Sequence, residues 1–207
     1  MTKFAAFVFL LAACTHDAKV NGLGVTFHGG QLNGTPVKVD RFTVQNTTFV
    51  VEHSIFIYEH GDPFRSWQLA LSVALEDPHR TWNPSVEERK QFADIWFGLF
   101  ARRLDASKPG HPNPALCTGP TLAGEEWQMA CSVTVGSTAA HLRARVIAAP
   151  NGVFVQEASW ASDKGKEWTD KFWSSLRAPT TPGAVAAAPL GVPIDQVVAQ
   201  AGQLALR

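Results

Sequence analysis

From Trp67 to Glu76 the chain alternates without a break. Trp67, Leu69, Leu71, Val73 and Leu75 are large and apolar, and Gln68, Ala70, Ser72, Ala74 and Glu76 between them are small or polar. Side chains of an extended strand point to opposite faces with a period of two, so this pattern predicts a strand with one buried face. Phe49, Val51, His53, Ile55 and Ile57 share one parity just before it. The intervening Glu59-His60-Gly61-Asp62-Pro63 is turn chemistry, which makes the pair an antiparallel hairpin. Val37–Val44 reads as a weaker, earlier strand. The second half of the chain repeats the theme. Trp127, Met129, Cys131, Val133 and Val135 line one face of a strand, and Leu142–Ala148 and Val153–Trp160 flank a Pro150-Asn151-Gly152 turn. The expectation is an antiparallel sheet of about six strands.

Two helices interrupt these strands. The first is expected to start with Asn83 as N-cap and Pro84 as the first helical residue. Glu87 and Glu88 suit its positive end, and it runs to about Leu104, where Arg102 and Arg103 suit its negative end. The second is expected from Ser162 or Asp163 to just before Pro179, with Trp168, Phe172 and Leu176 on one stripe. Lys90–Phe97 aligns without gaps on Lys166–Trp173, matching Lys, Asp and all three aromatic positions. Strands followed by helices imply an α+β domain with two aromatic-rich helices on one face of the sheet, arranged as two βββα units. The hairpin and terminal aromatic helix of the second half are similar to the C-terminal half of the PsbP-like fold. That likeness is topological and implies a fold only.

Residues 1–14 read Met-Thr-Lys-Phe-Ala-Ala-Phe-Val-Phe-Leu-Leu-Ala-Ala-Cys. One positive residue precedes an apolar run from Phe4 to Ala13, too short for the ~20 residues that span a bilayer as a helix. Leu11-Ala12-Ala13-Cys14 resembles the lipobox of bacterial lipoproteins. The resemblance implies cleavage before Cys14, acylation of its thiol and attachment to a membrane by more than one chain. Thr15 stands where an Asp favours inner-membrane retention in Gram-negative relatives, which points to the outer membrane. The expected organisation is a signal peptide over 1–13, a lipidated tether over 14–21, a domain over 22–178, and a Pro/Ala-rich linker with a short helix over 179–207. Ile194, Val197, Val198, Ala201 and Leu204 share one face of that last helix. It either docks on a partner or folds back on the domain.

Acidic and basic residues balance at 18 each. Removing residues 1–13 takes away Lys3 and no acid, so bulk charge does not favour nucleic acid. Cys117 and Cys131 remain for an oxidising compartment and are expected to form a disulfide. The chain lacks GxSxG, GxGxxG, a P-loop and HExxH. Glu52, His53, Glu59, His60 and Asp62 form the densest ligand-type cluster, but Glu52 and His53 have opposite parity on a strand. No cofactor, metal or catalytic residue is assigned. Aromatic residues are the strongest remaining signal, with seven Trp and thirteen Phe. The first helix carries Phe92, Trp96, Leu99 and Phe100 on one face and Ala93, Phe97 and Leu104 toward another. Either this helix is buried on two sides between sheet and loops, or it carries an exposed aromatic patch; for the second reading Trp82, Trp96, Phe97 and Trp173 are the candidate contact residues. The leading expectation is a lipid-anchored envelope protein of accessory or assembly type that acts by protein binding, not as an enzyme. The alternatives are a periplasmic binder of a small apolar ligand and a hydrolase without a recognisable motif. Replacement of Cys14 by Ser is expected to abolish acyl labelling and membrane fractionation; an unchanged fractionation and label would refute the anchor.

Overall fold

The computed structural model describes residues 18–20, 25–27, 33–34, 38–58, 66–77, 79–106, 116–135, 138–149, 151–175 and 191–205. The expected signal peptide, Cys14, the Glu59–Pro63 turn and the linker over 179–190 lie outside them. β1 (Ala18–Val20) and β2 (Val25–Phe27) form a small antiparallel ribbon. The main sheet holds β3 (Asn33–Gly34), β4 (Lys38–Val44), β5 (Thr47–Tyr58), β6 (Ser66–Leu75), β7 (Leu116–Ala123), β8 (Glu126–Val135), β9 (Thr138–Ala149) and β10 (Gly152–Trp160). Its order is β3-β5-β6-β10-β9-β8-β7, with β4 beside β3 on the outer edge of β5. Every pairing is antiparallel. The helices are α1 (Val86–Ala106), α2 (Asp163–Ser175) and α3 (Ile194–Leu204).

The class is α+β and strands dominate it, but the helices do not share a face. Leu69, Leu71 and Val73 of β6, Val153 and Val155 of β10, and Ala144 and Val146 of β9 pack in one core with Phe92, Trp96 and Phe100 of α1. The residues of opposite parity, Ala70, Phe154, Ile147 and Phe56, pack with Phe172 of α2. β6 is consequently buried on both sides instead of one. Small Ala70 and Ser72 on its second face leave room for α2. Two βββ segments do meet at the central β6–β10 pair, each followed by a helix. The opposite placement of α1 and α2 breaks the two-fold relation that a repeated unit in an antiparallel sheet would keep.

Local chemistry explains the boundaries. α1 starts at Val86, two residues later than expected, because Ser85 and not Asn83 caps it. The Glu88 N–H donates to Ser85 Oγ at 3.1 Å, and the Ser85 N–H donates to Glu88 Oε2 at 2.8 Å. This reciprocal box satisfies two backbone donors, which one Asn side chain does not match. α2 is capped by Ser162, whose Oγ accepts from the Gly165 N–H at 3.0 Å. At the β9–β10 turn Asn151 has φ 59°, and its side chain takes the Trp82 N–H at 2.8 Å and donates to Leu75 O at 3.2 Å.

β7 is the strand that alternation does not announce. Its residues Leu116, Cys117, Thr118, Gly119 and Leu122 are exposed, so no apolar period marks it. Pairing with β8 and the Cys117–Cys131 disulfide hold it to the sheet. The two cysteines face each other across the ladder, and the segment between them is the β7–β8 hairpin. Closing this loop stabilises the folded chain by ~3 kcal/mol in the chain-entropy picture. Urea unfolding of the Cys117→Ser, Cys131→Ser double variant is expected to show a loss of that order, and free thiols on the unreduced, denatured wild type would refute the bond.

Candidate functional site

Among the described residues, α1 and α3 pack on one side of the sheet and α2 on part of the other. α2 lies over β6 and β10. Beyond it, the same side of β7, β8 and β9 shows Thr118, Ala130, Thr134, Ala139 and His141 exposed, with Leu116 at 73% exposure. Apart from Leu116 and His141, the exposed side chains of this floor are small or hydroxyl-bearing.

One border of this floor is a column of stacked planar groups. His141, Arg143 and Arg145 alternate along β9 and therefore point the same way. The Arg145 guanidinium lies over the Trp173 ring at 4.4 Å, and Arg143 lies over the same ring at 4.2 Å. Arg143 is also 5.2 Å from the Trp160 ring, which stacks on His141 at 5.7 Å with 24° between planes. Cation–π contacts of this kind are worth ~0.5–2 kcal/mol each, more where water is excluded.

Hydrogen bonds lock the column in register. Arg145, buried at 7% exposure, donates to Gln156 Oε1 at 2.9 Å, Glu126 Oε2 at 3.1 Å and Trp173 O at 2.7 Å. The last contact caps a C-terminal carbonyl of α2 with positive charge. Gln156 donates to Gln68 Oε1 at 3.1 Å, and Gln68 donates to Thr169 O at 3.4 Å. Arg143 donates to Thr169 O at 3.2 Å and pairs with Asp170 at 3.0 Å, and Asp170 also takes Lys166 at 2.6 Å. Burial lowers both guanidiniums from their ordinary range, and Glu126 and Asp170 push them back up. Both stay charged at neutral pH, because Arg starts far above it.

Three of the candidate contact residues lie elsewhere. Trp82, Trp96 and Phe97, expected on an exposed patch, are 2, 0 and 2% exposed. All three belong to one core that α1 shares with the sheet and with α3, which folds back onto α1. Trp82 sits edge-on to Phe49, with ring centroids 5.8 Å apart. Trp96 stacks on Phe92 at 6.0 Å and donates its indole N–H to the buried Glu157 at 2.7 Å. Only Trp173 reaches the open side. Sequence reasoning missed Arg143, Arg145, Trp160 and His141, although three cationic-type side chains at i, i+2 and i+4 on a predicted strand were there to be read. His53 and Glu52 face opposite sides of β5, as parity requires. Among the described residues no three His, Cys, Asp or Glu side chains converge as metal ligands would, and no helix is long and apolar enough to cross a membrane.

Compared with protein-family models, curated proteins and solved structures, the chain matches none. Removing one member of a buried ionic network costs ~3–5 kcal/mol because its partners stay behind. Arg145→Ala is expected to lose about that much in urea unfolding. Arg145→Lys should recover only part of it and should lose the near-ultraviolet signature of Trp173, since an ammonium neither stacks nor forks. A Lys variant as stable as wild type would show that charge alone holds α2.

Proposed function

We propose that the chain is a lipid-anchored protein of the bacterial envelope, of accessory or assembly type, that acts by binding another envelope protein. The anchor rests on Leu11-Ala12-Ala13-Cys14, and the outer membrane is favoured by Thr15. The observation that carries the binding role is the open side of β7, β8 and β9 beside a rigid Trp160–Arg143–Trp173 column. Trp and Arg dominate the energetics of protein interfaces when they are held in place and ringed by less committed contacts. The exposed small side chains Ala130, Thr134 and Ala139 lie beside the column on a sheet face, a surface of the kind a protein partner covers, whereas a small molecule is held in a concave site. Docking is preferred to apolar-ligand binding for a second reason. The aromatic side chains of α1 that would line an internal cavity pack on one another and on the sheet.

The contact surface in this reading is the open sheet side with Trp160, His141 and Trp173 at its border. Photo-crosslinking amino acids placed at Ala130, Thr134 and Ala139 in living cells are expected to trap one recurrent envelope protein. The same probe at Lys164 or Glu167, on the outer face of α2, should trap none. Crosslinks that are absent at all three floor positions, or equally frequent at the controls, would overturn the assignment.

A further inference from the structure

α3 is attached to the domain unlike any other element. Its buried face is Ile194, Val197, Val198, Ala201 and Gly202, and Val197, Val198 and Ala201 are fully enclosed. These positions are i, i+3, i+4, i+7 and i+8, the stripe of an amphipathic helix lying in a groove. The groove is formed by α1 and β4. Gly202 marks a close approach to its wall: a Cβ there would stand 3.1 Å from Leu99 Cδ1 and 4.0 Å from the Trp96 ring. Among the described residues, no hydrogen bond or ion pair joins α3 to another element; its backbone bonds are its own.

The helix is also a weak one by itself. Pro193 provides no side-chain cap, Gly202 lies inside the last turns, and eleven residues are too few to hold a helix alone in water. α3 is thus helical because it is docked. Residues 176–190 connect it to α2, which packs on the opposite side of the sheet, and they are dominated by Ala, Pro and Thr. A docked segment of this kind has a high effective concentration at its seat and no directional bond to keep it there.

We propose that α3 is a detachable ligand in cis. The α1–β4 groove is a docking site for an amphipathic helix, α3 fills it at rest, and a partner helix with aliphatic residues at i, i+3 and i+4 and small residues at i+7 and i+8 takes its place. This does not depend on which protein the open sheet side contacts.

The test uses the full-length chain and a labelled synthetic peptide of residues 191–207. In the Val198→Asp chain α3 loses its seat, and the peptide is expected to bind saturably in fluorescence anisotropy. Wild type should bind it at least about tenfold more weakly, because its own α3 competes. A peptide carrying the same Val198→Asp change should not bind. Failure of the peptide to bind a Val198→Asp chain with native circular dichroism overturns the proposal. Hydrogen exchange on wild type covers the case in which that variant does not fold. Amides of α3 are expected to exchange at least about tenfold faster than those of β6 and β10, through an opening whose denaturant dependence is smaller than that of global unfolding but not zero. Exchange of α3 only together with the central strands would make it an inseparable part of the core and equally overturn the proposal.

Discussion

A guanidinium placed between a helix and a sheet must find an acceptor for its N–H groups or be expelled to water. Arg145 meets that requirement with a carboxylate from β8, an amide from β10 and a terminal carbonyl from α2. Through Gln156 and Gln68 the same network reaches β6 and returns to α2 at Thr169. Helix α2 has few large apolar contacts with the sheet, chiefly Phe172 and Trp168 against Phe56, Ala70 and Phe154. The polar network therefore sets where the helix ends lie, and the small apolar cluster supplies attraction without direction. Hydrophobic burial is nearly indifferent to register; a forked set of charge-assisted bonds is not.

The two sides of the sheet are built on different principles. Toward α1 the strands offer Phe49, Leu71, Val73, Val155 and Val146, and α1 answers with Phe92, Trp96 and Phe100. Each such side chain contributes ~1.5–3 kcal/mol by leaving water, so this side carries most of the stability. Toward α2 the strands offer Gln68, Ser72, Gln156 and Arg145, which contribute little net energy but admit few alternative arrangements. Such a division leaves the α2 side free to keep part of its surface open, because the fold does not need that area for burial.

Strand positions were readable because period-two alternation is a direct projection of one buried face. The same signal misled where both faces are buried. In β6, Ala70 and Ser72 look like solvent-facing residues, and only a helix packed on the far side reveals that their small size is what that helix requires. β7 was invisible for the opposite reason: with its residues exposed on both faces it has no apolar period at all. α1 showed two aromatic faces, and sequence alone had no means of telling a second buried side from an exposed patch, because the covering element lies about 100 residues further along the chain. The α3 stripe was plain in the sequence. Its destination was not, since amphipathicity fixes that a helix docks and leaves open where.

The Arg–Trp column shows why the missed residues are the more consequential ones. Arg143 and Arg145 each sacrifice hydration, and their cost is met only if Trp173 and α2 are in place. Once they are, Trp160 and His141 at the outer end inherit a fixed geometry from buried neighbours without being buried themselves. An interface residue that is already ordered before it meets a partner loses less entropy on binding, typically ~0.5–1.5 kcal/mol per immobilised side chain. In the docking role proposed above, the interior of the column would lower the entropic cost of contact at its exposed end, on the part of the sheet that α2 leaves uncovered.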